Sequence, residues 1–205
     1  MNSDELTPFL LRHAYEQGAF PMTLDDGSVG WFQPIRRALF AIEGIHVSRS
    51  LKRTLRSGRF EFRFDTSFES VMRGCLRPDD NWISEAFIRA YGEVHRLGWA
   101  HCSETWLDGK LVGGVYGLQV GSCFCAESMF HRVTDASKAA LWALVERCRE
   151  EGFTLFDAQV MNPHLASLGA FEVPHGAYME RLRKALKKPL PHRSWQECKP
   201  RKFGG

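Results

Sequence analysis

The chain reads as an α+β protein, a mixed sheet covered by helices with a small lobe ahead of it. Three observations carry this. Three apolar segments follow one another with tight-turn residues between them at 100–127, a strongly periodic helix follows at 134–152, and a further apolar strand comes at 153–160. The chain has 205 residues, of which 44% are hydrophobic, enough for one substantial core plus a minor lobe.

In chain order, residues 4–20 place Leu6, Phe9, Leu10, His13, Ala14 and Tyr15 near helical spacing, with Gly18 as a stop. Phe20-Pro21 to Gly30 is rich in turn residues, and Trp31-Phe32-Gln33-Pro34 leads out of it. Residues 1–34 are therefore expected to form a small lobe, too short to fold alone. Val47 to Gly58 reads as a short helix that Ser48 caps and Gly58 ends. Arg59 to Phe64 alternates as a half-buried strand, and a helix follows near 66–75. Ser84 opens a third helix with Phe87, Tyr91 and Val94 on its buried stripe and Gly98 at its end. Strand 100–107 meets Asp108-Gly109, a hairpin signal; strand 110–118 turns at Val120-Gly121-Ser122 into strand 122–127. Thr134-Asp135 opens the helix that Gly152 closes, strand 153–160 follows, and helices at 163–168 and 175–187 complete the main domain, 35–187. The tail, 188–205, is Pro- and Lys-rich and is expected to be basic and flexible. The order of these elements is that of the acetyltransferase (GNAT) fold, so the fold is expected to be GNAT-like with a truncated N-terminal lobe.

Composition narrows the function. The net charge is only +3, so any nucleic-acid contact must come from local clustering. No segment approaches the ~18 apolar residues of a membrane span. The acidic start Met1-Asn2-Ser3-Asp4-Glu5 lacks a signal peptide's basic and apolar regions, and a cytoplasmic location is expected. Cysteines at 75, 102, 123, 125, 148 and 198 form no Cys-x-x-Cys pair, and the histidines are dispersed, so neither a metal nor a cofactor is expected.

Candidate chemistry lies in few places. Alternation puts Asp157 and Gln159 on one face of the strand 153–160, which costs free energy unless they are hydrogen-bonded or used; an edge facing water and a cleft wall are both open readings. Glu127 ends the run Cys123 to Glu127, either solvated there or joining that pair in an acidic site suited to an amine. Between 49 and 63 six cations (Arg49, Lys52, Arg53, Arg56, Arg59 and Arg63) face one acid, Glu61. Arg49, Lys52, Arg53 and Arg56 share a helical face, either solvated or set against phosphates. Trp82 is a core anchor or a base-stacking platform. The turn His131 to Ala136 lacks the glycines with which this fold cradles the pyrophosphate of acetyl-CoA, and Asp135 would repel phosphate.

Several stretches together resemble the bacterial leucyl/phenylalanyl-tRNA–protein transferases: His46-Val-Ser-Arg-Ser50, Trp82-Ile-Ser84, Leu97-Gly-Trp-Ala-His101, Leu111 to Gly117, Glu127-Ser-Met-Phe130, Asp135-Ala-Ser-Lys138, Asp157-Ala-Gln159 and His164 to Ala170. The resemblance implies an aminoacyltransferase that moves leucine or phenylalanine, with methionine as a further donor, from aminoacyl-tRNA to the α-amine of proteins starting with Arg or Lys, as an N-degron for protein degradation. It implies that Asp157, Gln159 and Glu127 are catalytic, that Trp82 holds the terminal adenosine, that Val115, Met129, Leu141, Leu144, Cys148 and Phe156 line the donor side-chain pocket, and that Arg49, Lys52, Arg53 and Arg56 meet the acceptor stem. Leu144 and Cys148 stand where the family often has aromatics, which would enlarge the pocket; Met22 stands where it has a tryptophan. The alternatives are an acyl-CoA-dependent N-acyltransferase of the same fold and a non-catalytic module that binds charged tRNA.

Overall fold

A computed structural model of the chain describes residues 6–77, 83–192 and 195–196. Trp82 lies outside the described residues, as do Arg193, Lys199, Arg201 and Lys202 of the tail.

The lobe begins with helix α1 (Pro8–Glu16), which Thr7 caps by accepting from the Leu10 N–H. The turn-rich segment after it is a hairpin, β1 (Phe20–Thr23) with β2 (Val29–Phe32), pairing Pro21 with Trp31. Then follow β3 (Arg36–Phe40), α2 (Arg49–Arg56), β4 (Glu61–Phe64), α3 (Phe68–Gly74) and α4 (Glu85–Arg96). The meander is β5 (Ala100–Leu107), β6 (Lys110–Val120) and β7 (Cys123–His131). Helix α5 (Ala136–Glu151), β8 (Leu155–Gln159), α6 (Pro163–Ser167), β9 (Phe171–Pro174) and α7 (His175–Leu186) complete it. Among the described residues no helix is long and apolar enough to cross a membrane.

The main sheet has seven strands in the order β4-β5-β6-β7-β8-β3-β9. All neighbours are antiparallel except β7 and β8, whose parallel pairing is what α5 crosses over to make. Sequence alone does not reveal β3 and β9, and it ends β7 four residues early. Strand β8 is interior, between β7 and β3, and all five of its residues are buried, so the water-facing edge reading for Asp157 and Gln159 is excluded.

One apolar cluster lies on the side of α1, α3, α4 and α7, the other on the side of α2 and α5. Leu11, Tyr15, Phe20 and Val29 of the lobe belong to the first, together with Tyr91 and Tyr116. The tail contributes too. Trp195, expected to be loose, is 2% exposed: it stacks on His101 at 4.0 Å between ring centroids, and Phe64, Phe124 and Phe153 surround it. An aromatic of that size removed from water outweighs the solubility of the basic residues around it.

Candidate active site

Strands β7 and β8 are paired only from Cys123 to Cys125 against Leu155 to Asp157. Beyond that they diverge, and a cavity of about 950 Å³ opens in the gap. Two irregularities sit at the point of divergence. On β7, Ala126 pairs with Gly117 and Ser128 with Tyr116, so Glu127 is an extra, bulged residue. On β8, Asp157 pairs with Leu39 and Gln159 with Ala38, so Ala158 is extra. Bulges re-aim side chains, and these two bring Glu127 and Gln159 face to face. Gly117 allows the first: a Cβ there would meet the Cys125 carbonyl at 2.3 Å.

At the cavity floor Gln159 Nε2 donates to Glu127 Oε1 at 2.9 Å. Tyr15 of α1 donates to the same oxygen at 2.6 Å, and its hydroxyl lies 2.6 Å from that of Tyr91 of α4, which also reaches Glu127 Oε2 at 3.4 Å. Burial is the main reason the Glu127 carboxyl is pushed up to about 7; the Asp157 charge adds to the rise, while the bonds from Tyr15 and Gln159 and the Arg37 charge oppose it. Burial first, then Glu127, drives the Tyr15 and Tyr91 phenols well above their usual range, so both stay protonated donors.

Asp157 is fully buried and stands behind this pair. Its carboxylate takes Arg37 Nε at 2.8 Å and Nη2 at 2.6 Å, the Tyr178 hydroxyl at 2.9 Å and the Gln159 backbone N–H at 2.9 Å. Burial, the largest single influence, would lower the pKa of Arg37; the Asp157 charge and the hydrogen bonds to it, with smaller contributions from Tyr178 and Cys125, together outweigh it and leave the guanidinium above its ordinary value. The Gln159 backbone is left-handed, φ 63°, and its N–H bond to Asp157 holds it so.

Of the pocket residues expected from sequence, Val115, Met129 and Leu141 line the cavity. Leu144, Cys148 and Phe156 do not. All three are fully buried in the second cluster, under the stretch where β7 and β8 are still paired and no gap exists. Only the first turns of α5 reach the gap, through Ser137 and Leu141. The expected enlargement at Leu144 and Cys148 is therefore not found in the cavity wall. Sequence reasoning did not find Phe20, Arg77, His131 and His164, which also line it, nor Arg37, the second of two arginines that open β3. Met22 lines the cavity at the lobe's hairpin. His164 is held below its usual value by burial, then by Lys138 and His131.

Arg49, Lys52, Arg53 and Arg56 are exposed on α2, which Leu51 and Leu55 anchor to the second cluster. Among the described residues none of the four has an ion pair. At the start of α5, Asp135 is left-handed (φ 69°) and is engaged by Thr54 at 2.9 Å and Lys138 at 3.6 Å. A carboxylate there does not offer the cradle of backbone amides that an acyl-CoA pyrophosphate needs. Among the described residues no group of three or more His, Cys, Asp or Glu side chains is placed to hold a metal.

Comparison with known sequences points to one family. The sequence profile of the leucyl/phenylalanyl-tRNA protein transferases matches residues 39–183, and that of their N-terminal domain residues 4–35. A leucyl/phenylalanyl-tRNA–protein transferase of Herpetosiphon aurantiacus is 48% identical over 182 residues, 88% of this chain and 95% of the relative. One of Gloeobacter violaceus is 47% identical over 189 residues, 92% and 98% of the two chains. A solved GCN5-related N-acetyltransferase-like protein from Streptococcus suis is 13% identical, with a TM-score of 0.32 over 89% of this chain and 63% of that one.

Proposed function

The chain belongs to the leucyl/phenylalanyl-tRNA–protein transferase family and is an aminoacyltransferase, and we propose from that premise that Glu127 and Gln159 take the acceptor amine and its proton while the apolar cavity wall holds the donor side chain. The observation that carries this reading is the 2.9 Å bond between the two side chains at the floor of a cavity walled by Val115, Met129 and Leu141.

The donor ester is already activated, so the main requirement is to hold a neutral amine against its carbonyl. Positioning of that kind supplies roughly 7–11 kcal/mol of the barrier. Because Gln159 spends its Nε2 on Glu127, its Oε1 is left to accept an N–H of the amine. The amine nitrogen attacks the ester carbon, the bond to the ribose oxygen breaks, and the amide forms. Glu127 takes the amine's proton and returns one to the departing ribose hydroxyl, a task suited to a carboxyl near pKa 7. Asp157 acts through Gln159, fixing its backbone. Trp82 is assigned to the terminal adenosine.

The donor is leucine or phenylalanine, with methionine as a further donor, and polar side chains are disfavoured because they would leave a buried group unpaired against the wall. The acceptor starts with Arg or Lys, the products then serving as N-degrons in the cytoplasm. Arg37 neutralises Asp157, so attraction for the acceptor's positive side chain rests on Glu127. Transfer of radiolabelled leucine from Leu-tRNA to peptides that vary only in their first residue tests this. Efficient labelling of the Arg and Lys peptides is expected; labelling only of Asp or Glu peptides, or binding without turnover, would overturn it.

The exposed face of α2 is assigned to the acceptor stem. The double substitution R53Q/R56Q is expected to flatten the plot of log Kd for Leu-tRNA against log salt by about two units of slope, about one per lost phosphate contact. An unchanged slope removes α2 from tRNA binding.

A further inference from the structure

Among the described residues the cavity wall carries one arginine or lysine, Arg77, and the transfer chemistry described above gives it no task. Arg77 follows α3, and its side chain is exposed where it lines the cavity. It has no ion pair or hydrogen bond among the described residues. The helix end that leads into it is held in place. Gly74 lies so close to β7 that a Cβ would meet the Phe130 ring at 2.7 Å, and Gly114 of β6 approaches Val71 of α3 as tightly, at 2.9 Å. The Leu76 N–H still bonds back to the Arg73 carbonyl at 3.3 Å. The end of α3 is thus seated on β6 and β7, and Arg77 emerges at the rim, on the same wall as Ser128, one residue past Glu127.

A guanidinium at the rim of a reactive cavity, with no ion pair among the described residues, suits an anion with oxygens in its plane. The acceptor supplies none at its reacting end, which is a cationic amine. The donor does: in an aminoacyl-adenosine the ester and the 5′ phosphate hang from the same ribose, so an ester held at Glu127 places that phosphate on the surrounding wall. We propose that Arg77 is the seat of the donor's terminal 5′ phosphate and so sets the ribose, and with it the ester, over Glu127 and Gln159. This rests on the aminoacyl-transfer reading and adds to it a residue and the group it binds. The histidine side of the cavity is the poorer seat. His164 is driven toward its neutral form by burial, Lys138 and His131, and Lys138, which does not itself line the cavity, is paired with Asp135.

Two minimal donors separate the cases: the leucyl ester of adenosine and the leucyl ester of adenosine 5′-monophosphate, each with an Arg-starting peptide. The wild-type protein is expected to prefer the phosphorylated donor by about tenfold in kcat/KM, the worth of one charge-assisted contact. R77Q collapses that ratio toward one, R77K keeps part of it, and H164Q keeps it whole; thermal midpoints report folding of each variant. A ratio retained in R77Q, or lost in H164Q, overturns the assignment. If the wild-type protein uses Leu-tRNA but gains nothing from the 5′ phosphate, the seat is wrong while the transfer reading stands. If it fails with Leu-tRNA, the transfer reading itself falls.

Discussion

Glu127→Gln will lower kcat for leucyl transfer by roughly 10²–10⁴-fold, the usual worth of a positioned general base, and will remove a limb from the pH profile. Glutamine keeps the shape of the side chain and one oxygen to accept from Tyr15 or Gln159, but it takes no proton. In the wild-type protein kcat/KM is expected to rise with pH through about 7, as Glu127 ionises, and again near 8 as the acceptor's α-amine loses its proton. In the variant only the second rise remains. The same shift has a consequence for stability, with a definite sign. The carboxyl holds its proton more tightly folded, at about 7, than unfolded, near 4.3. Its contribution is full below the unfolded value and is lost as pH rises through 7, because the charge must then sit in a buried site. E127Q cannot ionise, so its thermal midpoint should gain on that of the wild type as pH is raised from 5 to 8. A profile with both rises intact in E127Q, or midpoints that keep a constant gap across that range, would take Glu127 out of the proton path.

How far the sequence led can be read from which contacts are local. The meander and α5 were legible because their signals lie within a few residues: Asp108 and Gly109 both take positive φ, as a tight hairpin needs, and Gly152 ends α5 at φ 87°. The pair of Glu127 and Gln159 was half legible. Alternation singled out Asp157 and Gln159 as polar groups on one face, but Glu127 and Gln159 meet at the cavity because each strand is bulged there, and a bulge breaks the period from which directions are inferred. Strand β3 was not legible. It is five residues long and starts Arg36-Arg37, which locally reads as surface; what buries Arg37 is Asp157, 120 positions away. Leu144 and Cys148 fell on the right face of α5 but at the wrong height, since helical spacing does not tell where two strands part. Trp195 was hidden by its neighbours: the basic tail around it described solubility, while the pocket it fills is assembled from β4, β5, β7 and the segment before β8.

Separating Arg37 from Asp157 is expected to be the most destabilising change near the site. Both side chains are wholly buried and 2.6 Å apart. Among the described residues, R37A leaves Asp157 with the Tyr178 hydroxyl and the Gln159 N–H; D157A leaves Arg37 with the Gly18 carbonyl, at 3.0 Å, and the faces of Phe20 and Tyr178. Removing one partner of such a pair costs about 3–5 kcal/mol, because the other charge stays buried alone. Removing both and restoring apolar volume costs far less, and R37M/D157L should recover most of the loss in urea unfolding. Activity should behave differently. Gln159 keeps a left-handed backbone while Asp157 Oδ1 accepts its N–H, and leucine cannot accept that bond. The double variant should therefore fold nearly as well as the wild type and still transfer leucine poorly, with the loss in kcat, because the donor's wall at Val115, Met129 and Leu141 is untouched. Wild-type turnover in the double variant would reduce the ion pair to a structural tie between β3, β8 and α7; single variants as stable as the wild type would show that the two charges are not paired in the folded protein at all.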